Sequence, residues 1–328
     1  TIVCKQGNYT FSTTVDWSTY TNVTLKVEAG VDFAVATGVT VTGGMKVEAG
    51  LSKWLSLTGT GIWTFGTGSV REVYPEWWGE NTIPGTTDMY DEIQAAINSI
   101  PIVGATGAAE LGGGGIVRFQ EGIYIVNTGL INNGRKVSLL GAGVDNTTLR
   151  KGANIDLIKF DASFRSQSIK DMTLDGNSKS GKLIWLNTPN YWILKNLILR
   201  YNGGTTADTD AALYLDSATV GHMEHIRLIS NARSGYFNTI NALRIYDIAV
   251  NGGSIYDDME FISATDTEIY GLSLSESDEG TNGGFCFKAC WNVLIDGVYV
   301  EHNLSVNPFT IGDTGQPTRG FTIKGLRS

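Results

Sequence analysis

The sequence predicts an all-β protein built as a parallel β-helix, with a small β-solenoid before it and one capping α-helix between the two. Three observations support this fold class. The 328 residues include 41 glycines but only 6 prolines, with short runs of Thr, Val, Ile and Leu, which is typical of many short strands joined by tight turns. A six-residue template recurs seven times in the second half of the chain, and one amphipathic segment precedes these repeats.

The template reads apolar-x-[Asp/Asn/His/Gly]-apolar-x-apolar. Its copies are IKDMTL (169–174), LKNLIL (194–199), MEHIRL (223–228), IYDIAV (245–250), IYGLSL (269–274), IDGVYV (295–300) and IKGLRS (323–328), which departs at its last position. Their starts are 25, 29, 22, 24, 26 and 28 residues apart, a loose spacing that favours coils with constant strands and variable loops. Positions 1, 4 and 6 are expected to point inward, skipping one place where the chain bends at position 3, because Gly, Asn and Asp tolerate left-handed backbone angles. Each coil would bury its inward row by stacking on its neighbours at ~4.8 Å.

The first hundred residues contain a shorter repeat and then a helical pattern. The pentapeptide KVEAG occurs at 26–30 and 46–50, a period of 20 within alternating apolar and polar residues, and predicts a β-solenoid over residues 1–72. In residues 86–100, a Thr or Asp N-cap and early acids precede apolar residues at helical spacing: Ile93, Ala96, Ile97 and Ile100. We expect a linker and capping helix over residues 73–100 that covers the open apolar end of a β-helix over 101–328.

Charge and composition exclude several partners. A net charge of −9 and a pI of about 4.9 argue against nucleic acid and anionic membranes, but not against a neutral polysaccharide. A polyuronate would require a basic patch, which the sequence does not reveal. No apolar run approaches the ~20 residues of a membrane span, and the opening residues lack a signal-peptide pattern, as in a mature or shortened chain. Cys4, Cys286 and Cys290 form no disulfide framework, and the spacing of the three histidines predicts neither a metal site nor a cofactor, although Ca²⁺ held by carboxylates stays open.

A second strand is expected in every coil, and its alternation places a set of side chains on one outward face. Aligning KLIWL, AALYL, GYFNT, DMEFI, GFCFK and PFTIG gives an outward column of Trp185, Tyr214, Glu260, Cys286 and Thr310. Asp258 lies on the same face, with its backbone ~6.5 Å from that of Glu260, so the two side chains could reach the spacing of a glycosidase carboxylate pair. Asp257 and Asp210, at strand starts, are further catalytic candidates. The alternative is that these carboxylates only form a solvated face.

The same face offers binding candidates. Trp185 and Tyr214 could act as aromatic platforms for pyranose rings, with Arg233, Tyr256 and Lys288 as further substrate-binding residues. Glu301 and His302 form either an acid/base dyad or a turn. His225 occupies a bend position and is expected to be a turn residue, with His222 and Glu224 as surface groups. The PEWWG segment (75–79) is expected to pack at the join between the two solenoids.

Three segments carry a family resemblance: VYPEWWGE (73–80), DEIQAAINSI (91–100) and GGGGIVRFQEGIYIV (112–126). Together they resemble the start of pectate-lyase-superfamily β-helices, including phage tailspike depolymerases, although Gln120 replaces a proline and NTIPGTTD (81–88) a longer Gly/Asp run. The resemblance implies a right-handed, pectin-lyase-like β-helix, carbohydrate chemistry, a secreted or virion-associated location and a homotrimer by analogy with tailspikes.

The segments DTDAALYL (208–215) and YDDMEFI (256–262) are also similar to strand starts of polygalacturonase-type hydrolases. The coil containing GYFNT separates them, and that family's Gly-His-Gly and Arg-x-Lys motifs are missing. The hypothesis is therefore a polysaccharide depolymerase, a glycoside hydrolase that uses paired carboxylates in a groove along the helix. The alternatives are a lyase acting on a uronate polymer and a non-catalytic, glycan-binding structural β-helix. The sugar, the linkage, the stereochemistry and the oligomeric state do not follow from the sequence.

Overall fold

The computed structural model describes residues 1–102, 114–161, 165–204, 210–252, 259–275, 284–301, 309–312 and 317–327, with the side chains of residues 165 and 166 excepted. The chain forms a parallel β-solenoid of about 11 turns, which confirms the predicted fold class. Among the described residues there is one α-helix, and no helix has both the length and the apolar character that crossing a membrane requires.

The N-terminal strands wind into three parallel sheets of three strands each. Their bounds are β1 (Ile2–Cys4), β4 (Thr24–Val27) and β7 (Lys46–Ala49); β2 (Gly7–Phe11), β5 (Val31–Val35) and β8 (Leu55–Leu57); and β3 (Val15–Trp17), β6 (Thr40–Gly43) and β9 (Ile62–Phe65). Apolar residues alternate inward along these strands: Val31, Phe33 and Val35 of β5 are at most 3% exposed. The small β-solenoid expected from the sequence is present.

The 20-residue period of the KVEAG repeat is not the period of the coil. The second and third turns pair at an offset of 22 residues, so that Leu25 lies opposite Val47, and Val27 opposite Ala49. The same offset holds on the other two sheets, where Phe33 pairs with Leu55. The repeat period and the pairing offset differ by two residues, and a shift of two residues keeps every side chain on the same side of a strand. Both pentapeptides therefore have the same inward and outward positions, although they do not pair residue by residue.

The PEWWG segment joins the two solenoids by packing, as expected. A 3₁₀ helix (Pro75–Trp77) places the Trp77 ring 5.4 Å from that of Trp54, and the indole nitrogen of Trp77 donates to the carbonyl of Gly50 at 2.8 Å. Val73 then forms a parallel bridge with Val117. The apolar core therefore runs from the first solenoid into the second.

Helix α1 (Tyr90–Ser99) covers the start of the main β-helix, as the sequence predicts. Its apolar side chains at helical spacing are at most 2% exposed. The N-cap residue is Met89, not Thr or Asp, although the Asp88 carboxylate accepts from the Tyr90 N–H at 3.1 Å. The Gln94 amide pairs with the backbone of Ile131, accepting from its N–H at 3.0 Å and donating to its carbonyl at 2.9 Å. Since Ile131 belongs to a terminal strand, Gln94 blocks the edge of that sheet.

The main β-helix contains an eight-stranded and an eleven-stranded parallel sheet. The eight-stranded sheet consists of β12 (Leu130–Ile131), β15 (Ile158–Asp161), β17 (Ile184–Asn187), β19 (Leu213–Asp216), β21 (Gly235–Asn238), β23 (Met259–Ile262), β25 (Phe285–Lys288) and β27 (Phe309–Ile311). The eleven-stranded sheet consists of β10 (Gly115–Arg118), β11 (Gly122–Val126), β13 (Val137–Leu140), β14 (Thr147–Lys151), β16 (Arg165–Asp175), β18 (Asn190–Arg200), β20 (Thr219–Ile229), β22 (Asn241–Asn251), β24 (Thr265–Ser275), β26 (Trp291–Glu301) and β28 (Arg319–Arg327).

The bend at template position 3 is confirmed in every repeat. The residue there has a positive φ in all seven copies: Asp171 (56°), Asn196 (50°), His225 (53°), Asp247 (56°), Gly271 (72°), Gly297 (74°) and Gly325 (64°). Positions 1, 4 and 6 point inward, as with Leu194, Leu197 and Leu199, each at most 1% exposed. The alternation in PFTIG also predicts an inward position for Ile311, but Ile311 is 47% exposed, because its strand is the last of its sheet.

Each coil of the main β-helix has three flat faces. The first face is the eight-stranded sheet. A positive-φ residue near the start of each 11-residue strand, such as Tyr191 (55°) in β18, turns the chain onto the second face, which comprises residues 192–195 and their partners. The template bend then turns it onto the third face, residues 197–200 and their partners. Outward side chains therefore fall into straight rows parallel to the axis.

A buried carboxyl at the junction gives the fold a pH dependence. The Tyr124 hydroxyl donates to Glu76 at 2.5 Å, and burial raises the pKa of Glu76 above its usual value. The folded state then holds a proton more tightly than the unfolded chain does, so this contribution to stability is complete below the unfolded pKa and is lost as pH rises through the folded pKa.

In Glu76→Gln, which stays neutral, urea unfolding between pH 4 and 8 should show stability falling less with rising pH than in wild type. Parallel curves would contradict this.

Candidate functional site

The outward row predicted on the first face is present and in register. Its members, in successive coils, are Lys159, Trp185, Tyr214, Tyr236, Glu260, Cys286 and Thr310. The prediction named five of these, and the structure adds Lys159 and Tyr236. Each member lies one coil, about 4.8 Å, from the next. This register creates a strip of aromatic, charged and polar side chains that no single segment of the sequence contains.

Three partly buried rings form the centre of the strip, and we call Trp185, Tyr214 and Tyr236 the aromatic row. The rings of Tyr214 and Tyr236 stack with centroids 5.1 Å apart and planes at 19°, whereas Trp185 meets Tyr214 edge-on at 6.1 Å and 79°. One face of Tyr214 is thus covered by Tyr236. Tyr214 therefore presents its edge and hydroxyl, and not the open flat platform that we expected from the sequence.

A second row runs beside the aromatic row, two residues further along each strand. Its members alternate between acid and amide: Asp161, Asn187, Asp216 and Asn238. Asn187 donates to Asp161 at 2.8 Å and Asn238 to Asp216 at 3.0 Å, so the row consists of hydrogen-bonded pairs. We call it the amide row. It places donors and acceptors along one side of the rings.

Basic side chains lie over the rings. The Lys159 and Lys182 ammonium groups are 4.0 and 4.5 Å from the centre of the Trp185 ring, and the Arg233 guanidinium is 5.3 Å from that of Tyr236. Acids compensate the two lysines, since Lys159 pairs with Asp161 at 2.8 Å and Lys182 with Asp156 at 3.7 Å. With Lys288, the strip contains four cations, but their acidic partners keep it from being a basic patch.

Glu260 lies at the end of the aromatic row between two cations. Its Oε2 is 2.9 Å from the Arg233 guanidinium and its Oε1 is 2.5 Å from the Lys288 ammonium. The Glu260 and Arg233 side chains are each only 5% exposed. The sequence predicted an outward position for Glu260, which the register confirms, but the carboxylate is buried in an ion pair instead of being solvated.

The other predicted site residues divide into two groups. Asp257, Asp258, Tyr256 and His302 lie outside the described residues, so their predicted roles stay predictions. Asp210 is 8% exposed, and its carboxylate accepts from the Gly181 N–H at 2.8 Å while its carbonyl accepts from Asn202. These contacts make Asp210 part of a buried network that holds the loops before the first face.

His222 and His225 lie away from the first face. His225 is a bend residue, as expected, and its Nδ1 contacts the Asp247 carboxylate at 2.7 Å. His222 and Glu224 are outward on the second face, 3.4 Å apart. Within the described ranges, His, Cys, Asp and Glu side chains form no group that could hold a metal ion.

The sequence analysis missed Tyr236 and Lys182, and only the first of them could have been found from the strand alternation. Tyr236 occupies the central place of GYFNT in the strand alignment, so the alternation itself contained it. Lys182 precedes its strand, and nothing in the alternation indicates that its ammonium lies 4.7 Å from the Tyr214 ring. Long side chains from loops can reach a row that only strand residues define.

Fold and surface together define a parallel β-solenoid with a continuous strip of rings and polar groups on one face. No protein-family model matches the chain, and no curated protein sequence does. Among solved structures, ORF18 of Geobacillus virus E2 is similar with a TM-score of 0.51 and 16% identity, over 74% of this chain and 60% of that one. The A-module of mannuronan C-5 epimerase AlgE6 from Azotobacter vinelandii has a TM-score of 0.39 and 16% identity, over 78% of this chain and 94% of the module.

This chain spans about 60% of the length of the viral protein that it matches. At such low identity the likeness to the viral protein concerns the fold alone. None of the comparisons assigns the chain to the family that residues 73–126 resemble.

Proposed function

We propose that the protein binds a polysaccharide along the first face, with the sugar chain parallel to the helix axis. The observation that carries this proposal is the aromatic row with the amide row beside it. A glycan presents apolar C–H surfaces and hydroxyl groups in alternation, and the strip offers ring edges next to a line of donors and acceptors. The common spacing of about 4.8 Å repeats this combination along several coils.

The charges favour a neutral glycan. Lys159 and Lys182 are compensated by Asp161 and Asp156, and Glu260 engages both Arg233 and Lys288. A polyuronate would have to compete with these carboxylates for the cations and would meet a chain of net charge −9. Neutral hydroxyls face no such repulsion.

Hydrolysis of the bound glycan is the second candidate, and the environment of Glu260 favours a specific division of labour. Glu260 contacts both Arg233 and Lys288 at the end of the aromatic row, and there it would serve as the base or nucleophile of a carboxylate pair. Asp258, two residues earlier, would then be the proton donor, with Asp257 as the further candidate. A lyase is less well supported, because Arg233 and Lys288, which could neutralise a uronate carboxylate, are bound to Glu260.

A secreted or virion-associated location and a homotrimer accompany this proposal, as the resemblance of residues 73–126 implies. Polysaccharides are found on cell surfaces and outside cells, where a secreted or virion-associated solenoid would meet them. Sedimentation of the purified chain would test the trimer independently of any glycan.

Retention on immobilised neutral and acidic polysaccharides tests the binding proposal. Trp185→Ala should weaken retention on a neutral polysaccharide by about fivefold, since each aromatic contact contributes roughly 1 kcal/mol beyond its buried area. Tyr299→Ala is the matched control, because Tyr299 is 44% exposed on the third face. Equal retention of the two variants would overturn the proposal.

The same samples test cleavage. New reducing ends that disappear in Asp258→Asn would support hydrolysis, whereas ultraviolet absorbance from unsaturated uronates would support a lyase instead. Retention without either product would leave binding as the function.

A further inference from the structure

The Lys182 ammonium lies against two rings of the aromatic row. Its nitrogen is 4.5 Å from the centre of the Trp185 ring and 4.7 Å from that of the Tyr214 ring. Lys182 comes just before β17, whereas Asn187 of the amide row is the last residue of that strand. Lys182 therefore approaches the rings from the opposite end of the strand to the amide row. Because both rings point outward, its ammonium is on the outer side of the sheet.

The Lys182 ammonium has an acid nearby but no hydrogen bond within the described part of the chain. Its ionic partner is Asp156, whose Oδ1 is 3.7 Å away, beyond the roughly 2.7–3.2 Å of an N–H···O hydrogen bond. The same oxygen already accepts from the Lys182 backbone N–H at 2.8 Å. Lys159, over the same Trp185 ring, pairs with Asp161 at the much shorter distance of 2.8 Å. Of the two ammonium groups, that of Lys182 has donors left to offer.

Burial makes these unused donors significant. The Lys182 side chain is only 9% exposed, so its ammonium has given up most of its contact with water. The aromatic rings attract the cation, but they do not replace the hydrogen bonds that water provided. A ligand that brings oxygen atoms to the edge between Trp185 and Tyr214 would restore those hydrogen bonds.

The neighbouring charges identify the class of oxygen. The two lysines over Trp185 are matched by two carboxylates, Asp156 and Asp161. An anionic sugar would be attracted to the lysines but repelled by these carboxylates at close range. Hydroxyl and ring oxygens can accept from the Lys182 ammonium without that repulsion.

We propose that Lys182 is the central hydrogen-bond donor of the glycan site, donating to the oxygen atoms of a neutral pyranose unit at the edge between Trp185 and Tyr214. This inference rests on the function proposed for the first face and adds a fixed contact point to it. One sugar unit is positioned there by its oxygen atoms, and the units on either side extend along the aromatic and amide rows.

Calorimetric titration with maltohexaose, cellohexaose and N-acetylchitohexaose, and with hexagalacturonate as the acidic probe, tests the role of Lys182. Lys182→Met keeps the length of the side chain but removes its donors. The affinity for a neutral probe that binds the wild type should therefore fall about tenfold or more. Lys159→Met removes a cation from the same ring, but one that is already paired with Asp161, so its loss of affinity should be several-fold smaller.

Urea unfolding without glycan separates binding from support of the fold. Asp156 is 29% exposed and keeps its hydrogen bond to the Lys182 backbone, so it does not depend on the ammonium. Replacing a desolvated cation that has no hydrogen bond by an apolar side chain should leave the urea midpoint at or above that of wild type. A clearly lower midpoint would overturn the premise of unused donors. Lys182→Gln, which is polar but uncharged, takes over the titration if Lys182→Met fails to fold.

The titrations distinguish failure of this inference from failure of the first-face function. Unchanged affinity in Lys182→Met, together with weaker binding in Trp185→Ala, would overturn the role of Lys182 alone. An equal loss in Lys159→Met and Lys182→Met would do the same, and so would binding that depends on Lys182 only for hexagalacturonate. If no neutral probe binds the wild type, both the inference and the function proposed for the first face are wrong.

Discussion

Replacing Glu260 with leucine should lower the free energy of unfolding by about 3–5 kcal/mol, a large effect for one residue on an outward row. The reason is the burial of both partners of the ion pair. The Glu260 and Arg233 side chains are each 5% exposed and lie 2.9 Å apart, so the substitution would leave a guanidinium buried without its carboxylate. Lys288 is 29% exposed and can turn towards water, so it adds less to the loss.

Urea unfolding of Glu260→Leu measures this loss, and the double variant Arg233→Met/Glu260→Leu is its matched control. Replacing both members of a buried pair by apolar residues is commonly neutral or stabilising, so the double variant should recover most of the lost stability. If Glu260→Leu were as stable as wild type, the ion pair of Glu260 would not contribute to the stability of the fold. Activity of Glu260 variants must therefore be compared at temperatures where each is folded.

The second large effect is expected at Lys151. Its side chain is fully buried at the end of β14, and its ammonium donates to the carbonyls of Ser180 and Gly181 at 3.1 and 2.7 Å and to the Asn202 side chain at 2.7 Å. Lys151→Met keeps the length of the side chain but removes three donors at once, so unfolding should become easier by about 3 kcal/mol at pH 7. The exposed Lys46→Met should change stability little.

Burial lowers the pKa of Lys151 to about 7, which adds a second measurement. Because the unfolded lysine titrates near 10.5, the unfolded chain binds more protons between pH 7 and 10.5, and the Lys151 contribution to stability rises with pH over that window. The stability gap between wild type and Lys151→Met should therefore widen above pH 7. A gap that narrows would mean that the ammonium stays charged throughout.

The main β-helix could be predicted because its bends use residues with a physical preference. Asp171, Asn196 and Gly271 stand where the backbone needs a positive φ, and this need is visible as a recurring residue type. The pairing register of the first solenoid could not be found in the same way. Lys26 and Lys46 begin identical pentapeptides, yet Lys26 pairs with Glu48, because strand alternation repeats every two residues and allows several registers.

The candidate site could be predicted only as far as strand alternation reaches. Trp185, Tyr214 and Glu260 were placed in one row because each follows a known inward residue. The ionic partner of Glu260 was not predictable as a partner, since Arg233 precedes its strand and pairs with a residue 27 positions away. Asp210 stays a catalytic candidate from the sequence, and the contact of its carboxylate with the Gly181 N–H could not be foreseen from strand alternation either.

The bends also determine how such a protein can change its length. Each turn is closed by single residues of positive φ, and the next turn begins in the same register, as Leu213 opposite Gly235 shows. Whole turns can therefore be gained or lost as units of roughly 22–29 residues without disturbing the pleat of those that remain. During evolution the solenoid would then lengthen or shorten by whole turns. Every added turn would extend each row of outward side chains by the same step of about 4.8 Å.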